Sequence, residues 1–179
     1  CVTARRKTTT AHISPGGAWL RFRGHLTSIS ENLLEGAVND FTGETGRGTN
    51  VLTGETGVRF SELARIYRDS AGGSVIVGDE NYGEGSSREH APWGLLDYGF
   101  EAVISSEIAD IFRNNSLKNG LVALVVDQDS HRWLLENPGV TVDIDVAGAT
   151  LTLPGDRVVE FVLDGFARYC LLEGIDLRI

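Results

Sequence analysis

An α/β fold is predicted for this chain from three observations. Between residues 74 and 136, short apolar runs alternate with helical patterns, and strand–helix alternation argues for a sheet built with parallel crossovers. Beyond Pro138 the apolar period becomes two, which adds a β-rich C-terminal part. With 179 residues and 41% hydrophobic content, the chain is expected to form one domain, residues 1–179, with a core that needs no disulfide staples.

The elements follow in order. The first fifty residues are rich in glycine, threonine and asparagine with weak periodicity, so short strands and ordered loops are expected there. The stretch from Glu35 to Glu55 is the most loop-like and reads as a mobile segment. Residues Ser61 to Ser70 predict a helix with Leu63, Ile66 and Tyr67 on one face, stopped by Gly72-Gly73. A strand over 74–78 precedes a helix from about Arg88 to Tyr98, in whose first turns Pro92 sits awkwardly. A strand over 101–105 leads to a helix from about Glu107 to Asn119, stopped by Gly120. A strand over 121–126 leads to a short helix from Ser130 to Glu136. After Pro138, Val140, Val142, Ile144 and Val146 alternate with polar residues, Ala147-Gly148 turns the chain, and strands are expected over 150–153 and 157–163. Residues 165–174 close the chain as a helix, and no internal repeat or low-complexity tract interrupts it.

Composition excludes several function classes. A net charge of −9 argues against nonspecific nucleic-acid binding, which depends on neutralising phosphates; Arg5, Arg6 and Lys7 read as a short solvated arm. No apolar run approaches membrane-spanning length, and no signal-peptide core lies behind the first residues, so a cytoplasmic location is expected. Two cysteines, Cys1 and Cys170, fit no disulfide framework and no zinc spacing, and they are too few to hold an iron–sulfur cluster. The absence of methionine, including at position 1, leads to the expectation of a processed start or a fragment.

Chemistry concentrates in residues 78–90, Gly-Asp-Glu-Asn-Tyr-Gly-Glu-Gly-Ser-Ser-Arg-Glu-His. A glycine-punctuated turn between a strand and a helix aims backbone N–H groups and the positive end of a helix dipole at one point, which attracts anions. Ser86, Ser87 and Arg88 stand at its lip, and a guanidinium can clamp a carboxylate with two parallel hydrogen bonds. The dinucleotide fingerprint is excluded because Arg88 stands where its third glycine belongs, and the phosphate P-loop because Gly85-Ser86-Ser87 contains no lysine. Two readings remain open at this point: an anion site, or a capping box in which Ser86 and Glu89 close the helix start. Asp79, Glu80 and Glu84 form an acidic lip that either orients Arg88 or a neighbouring domain, or is merely solvated.

The run Gly83 to His90 resembles the signature of the aconitase superfamily's swivel domain. Its continuation, Ala91-Pro92-Trp93 through Asp97-Tyr98-Gly99-Phe100, is similar to the small subunit of isopropylmalate isomerase, as are residues 109–116 and Lys118-Asn119-Gly120-Leu121. The N-terminal part, with Thr8-Thr9-Thr10, His12-Ile13-Ser14-Pro15 and residues 19–26, looks like the same domain of aconitase proper. The resemblance covers nearly the whole chain. It implies the family's mixed β/β/α swivelling domain, docked over a larger subunit or domain that carries a [4Fe–4S] cluster. It implies reversible dehydration of a hydroxy acid; the chain's own composition adds the expectation of no metal held by this chain, no nucleic acid and no membrane.

Carried over residue by residue, the family's base falls on Ser86, useful only as an alkoxide stabilised by cations and backbone N–H groups. Ser87 and Arg88 fall on substrate contacts, Arg23 on an arginine that grips a further carboxylate, and Ser14 on another site serine. Bland readings stand beside these: Arg23 as a surface arginine, Ser14 as a turn residue before Pro15, Glu89 as a cap, and His12, His25 and His90 as structural hydrogen-bonders. His131 and both cysteines carry no readable signal. The family pattern has aspartate where this chain has Ala11, which puts full aconitase activity in question. The expected substrate is a hydroxy tricarboxylate such as citrate or isocitrate, a preference resting on Arg23. The alternatives are an isopropylmalate isomerase small subunit, or a non-catalytic regulatory or assembly domain.

Overall fold

The computed structural model describes residues 2–4, 7–14, 28, 30–39, 42–71 and 75–175. In chain order the elements are β1 (Val2–Ala4), α1 (Thr10–Ile13), β2 (Arg47–Thr49), β3 (Thr56–Arg59), α2 (Phe60–Ala71), β4 (Val75–Gly78), α3 (His90–Asp97), β5 (Ala102–Ser105), α4 (Asp110–Lys118), β6 (Val122–Val125), α5 (Gln128–Glu136), β7 (Asp143–Asp145), β8 (Thr150–Leu153), β9 (Arg157–Glu160) and α6 (Gly165–Glu173).

Strands β1, β4, β5 and β6 lie side by side in that order, all parallel. Successive side chains on a strand point to opposite faces, and the register sorts them into rows. Ile76, Val103 and Ala123 form one row and Val77, Ile104 and Leu124 the next. The first row packs with Ile13 of α1, Ala91 and Leu95 of α3 and Phe112 of α4. The second packs with Leu134 of α5 and with Leu151, Leu153 and Val159. Those last three belong to an antiparallel sheet ordered β7-β8-β9. The result is three layers: antiparallel sheet, parallel sheet, helices. This is the mixed β/β/α arrangement, and it explains why β5 is buried along its whole length and reads as apolar sequence up to Ser105. Each buried leucine or isoleucine in these rows contributes about 1.5–3 kcal/mol.

Departures from the sequence expectations have local causes. β2 lies inside the stretch that reads as most loop-like; it pairs with β3, and Val58, Leu63 and Tyr67 form a small core beneath the pair. Strands of three and four residues carry too little pattern to be seen. α3 starts at His90, two residues later than expected. Pro92 sets that start: in a helix begun at Arg88 its ring would meet the Arg88 carbonyl and one bond would be lost, whereas in the first turn of a helix begun at His90 no N–H is needed. α4 starts at Asp110 because residues 107–109 run extended beside Tyr82. α5 begins at Gln128 because the Asp127 carboxylate caps it, accepting from Ser130 N at 2.9 Å. No described helix is long and apolar enough to cross a membrane.

Candidate functional site

The exits of three parallel strands converge at one end of the sheet. Residues 7–14 follow β1, residues 79–89 follow β4, and residues 106–109 follow β5. The central loop is laced to both neighbours by backbone bonds. Gly83 N donates to Thr8 O at 2.7 Å and Thr10 N to Glu84 O at 2.9 Å; on the other side Tyr82 N donates to Glu107 O at 3.2 Å and Ala109 N to Tyr82 O at 3.0 Å. Tyr82 is fully buried, its ring edge-on to Phe112 at 5.6 Å. Two glycines make room for this wedge. A Cβ on Gly78 would lie 2.1 Å from Tyr82 Cδ2, and one on Gly83, at φ +77°, would lie 2.3 Å from Phe112 Cγ. Burial pushes the Tyr82 phenol far above its ordinary range.

The Ser86 carbonyl oxygen accepts from Thr10 Oγ1 at 2.8 Å and from Arg88 N at 2.8 Å. Its backbone is therefore held while the side chains of Ser86 and Ser87 remain exposed. Arg88 is half-buried, and its Nη1 donates to the Ser14 carbonyl at 2.9 Å. That bond uses one of five guanidinium donors and anchors one end of the group. Ser14 is buried and ends α1, its N–H bonded to Thr10 O. The structure thus brings the Ser14 backbone to the Ser86–Arg88 run across 74 residues of chain. Arg23 and His25 lie outside the described residues.

The capping-box reading of Ser86 and Glu89 is corrected. Glu89 occupies the N-cap position of α3 in helical backbone geometry and makes no side-chain cap bond, and Ser86 stands three residues farther out. With Pro92 delaying the helix, neither serine hydroxyl is drawn to its first turn. A capping box does form in α1, between Thr9 and His12. His12 N donates to Thr9 Oγ1 and Thr9 N to His12 Nδ1, both at 3.2 Å, so His12 is a structural hydrogen-bonder. His90 stacks edge-on against Trp93 at 5.2 Å. The acidic lip supports the loop: Glu84 pairs with Lys7 at 2.8 Å and accepts from Asn81 at 2.8 Å, and Glu80 accepts from Gln128 at 3.0 Å. Ala11, where the family pattern has aspartate, is exposed on α1.

Among the described residues no group of three or more His, Cys, Asp or Glu is placed to hold a metal ion, and Cys170 is buried on the inner face of α6. The donor set of this chain does not suit an iron–sulfur cluster. Sequence reasoning missed Thr10 and Lys7 as loop supports. Thr10 meets Ser86 across 76 residues of chain, and no local pattern marks such a pairing.

Residues 1–129 match the family described as the aconitase C-terminal domain. The 3-isopropylmalate dehydratase small subunit of Anaeromyxobacter dehalogenans is 58% identical over 108 residues, covering 60% of this chain and 56% of that protein. That of a Roseiflexus species is 52% identical over 112 residues, covering 60% of this chain and 55% of that protein. The chain thus aligns with little more than half the length of these relatives. A crystal structure of 3-isopropylmalate dehydratase (leuD) from Methanocaldococcus jannaschii superimposes with a TM-score of 0.65 at 23% identity, covering 97% of this chain and 86% of that one. At that identity the likeness speaks to the fold alone.

Proposed function

Because the chain belongs to the aconitase C-terminal domain family, we propose that it is the small, swivelling subunit of an isopropylmalate-isomerase-type hydro-lyase, with residues 1–179 forming one domain. The observation that carries this reading is the pair of exposed hydroxyls, Ser86 and Ser87, beside a guanidinium anchored to the Ser14 carbonyl. The relatives point to the branched dicarboxylate of 3-isopropylmalate rather than a tricarboxylate. The tricarboxylate preference rested on Arg23 alone. The relatives lend no support to the non-catalytic alternative.

In this reading Arg88 clamps a substrate carboxylate, Ser14 and Ser87 orient it, and Ser86 Oγ takes the proton from the carbon beside the carboxylate as the double bond forms. Delivering that proton to the carbon that lost the hydroxyl, with water adding at the carbon that lost the proton, moves the hydroxyl. Activation of the departing hydroxyl falls to a larger partner carrying a [4Fe–4S] cluster, since two cysteines in the whole chain are too few to hold one. Its net charge of −9 suits protein and small-molecule partners, not nucleic acid.

The test combines the chain with a cluster-bearing large subunit of the family and compares turnover of 3-isopropylmalate with that of citrate. Preference for 3-isopropylmalate is expected. Preference for citrate would restore the tricarboxylate reading, in which case Arg23→Lys should cost citrate turnover about 2–4 kcal/mol in kcat/KM. No turnover of any hydroxy acid with any cluster-bearing partner would overturn the proposal.

A further inference from the structure

His131 has no part in the chemistry above, yet it is buried to 3% exposure at the root of the serine–arginine loop. Its ring sits between two strand exits. Nε2 lies 2.7 Å from the carbonyl oxygen of Gly78, the last residue of β4. Nδ1 lies 2.9 Å from Oγ of Ser106, the first residue past β5. A carbonyl oxygen can only accept, so Nε2 carries the proton and Nδ1 accepts from the Ser106 hydroxyl; the hydrogen-bond network makes this tautomer assignment.

We infer that His131 is the positioning residue of the loop, setting the direction in which residues 79–88 leave β4 relative to β5. An apolar side chain of the same volume would fill the space but would leave the Gly78 carbonyl and the Ser106 hydroxyl unheld. Other contacts converge on the same junction. Ser105 Oγ lies 2.9 Å from both Asp79 O and Glu107 O. Gln128, one turn before His131 on α5, donates to Glu80 at 3.0 Å. α5 in turn is fastened to the antiparallel layer, where Arg157 of β9 donates to Ser130 Oγ at 2.8 Å. Side-chain bonds therefore run from β9 through α5 to the loop that carries Ser86, and they meet it at Gly78, Asp79 and Glu80 rather than at Ser86, Ser87 or Arg88.

The proposed activity enters only the kinetic part of the test, so failure of one reading is distinguishable from failure of the other. On the chain alone, nitrogen-15 histidine spectroscopy should find the His131 proton on Nε2; a proton confined to Nδ1 overturns the assignment. His131→Phe keeps a flat ring, a bulkier one than imidazole, and deletes both bonds. It should speed amide hydrogen exchange of residues 79–88 by roughly tenfold or more while β7–β9 amides stay within about twofold. Ser106→Ala removes only the Nδ1 partner and should raise exchange of the same residues less, which keeps the test decisive if the Phe variant does not fold. His131→Gln can still donate to Gly78 and should recover much of the protection. Unchanged exchange in 79–88 for the Ser106→Ala and His131→Phe chains would overturn the positioning role. In complex with a cluster-bearing subunit, His131→Phe should lower kcat by roughly tenfold or more with KM within about threefold; equal movement of both constants would contradict positioning.

Discussion

Two glycine-bearing turns of this molecule differ in what holds them. Residues 79–89 leave β4 and are bonded to Thr8, Thr10, Ser14 and Glu107, partners lying as far as 76 residues away. Residues 154–156 join β8 to β9 and are closed by the adjacent pair Leu153 and Arg157. In the first turn Gly83 faces Phe112 with no room for a Cβ; in the second a Cβ on Gly155, at φ +84°, would meet nothing within 4 Å. The hairpin turn is determined by its own backbone. The loop at the strand exits is determined by tertiary neighbours, and that confinement leaves two hydroxyls exposed without letting their backbone wander.

The comparison breaks most visibly through activity. Ser86→Ala in the reconstituted complex should lower kcat by roughly 10²–10⁴-fold, the range for losing a positioned proton-transfer group. Thermal stability should change by no more than about 0.5 kcal/mol, because Ser86 is held through its carbonyl and its hydroxyl caps nothing. Near-normal turnover would place the base elsewhere. Next in size is the glycine pair. Gly83→Ala should cost about 3 kcal/mol in urea unfolding, combining left-handed backbone strain with overpacking against Phe112, whereas Gly155→Ala should cost only about 1 kcal/mol. Equal costs would mean that packing does not distinguish the two turns.

A third test concerns the support behind the loop. Hydrogen bonds from Ser130, side chain first and then backbone, hold the Asp127 carboxyl below its ordinary pKa, with Arg157 adding a smaller pull. A depressed carboxylate pKa contributes stability that is present above the unfolded value and is lost as pH falls through the folded value. Asp127→Ala should cost about 1 kcal/mol near neutrality. The gap from wild type should close as pH drops below about 4, where the unfolded carboxylate protonates. A gap independent of pH would remove charge from the account. The smallest effect is expected from Tyr82→Phe. Among the described residues no partner reaches the buried Tyr82 hydroxyl, so removing it should leave stability unchanged or raise it by up to about 1 kcal/mol. A clear loss would reveal a partner for that hydroxyl.

Much of the architecture is legible in the sequence. The parallel strands read as apolar runs because both of their faces are buried, and the helix after β5 shows its end in Gly120. The alternation over Val140 to Val146 announces the antiparallel layer, although only Asp143–Asp145 pairs as a strand there. The site's residue types, Ser86, Ser87 and Arg88, stand in one short motif, and Pro92 already contains the reason that neither serine is absorbed into α3. Tertiary structure alone decided the rest: β1 as the edge of the parallel sheet, the Arg88 bond to Ser14 across 74 residues, and His131 beneath Gly78. Local sequence carries propensity and period. Which carbonyl a guanidinium or an imidazole meets depends on strand order and register, and these emerge only when distant segments pack against one another.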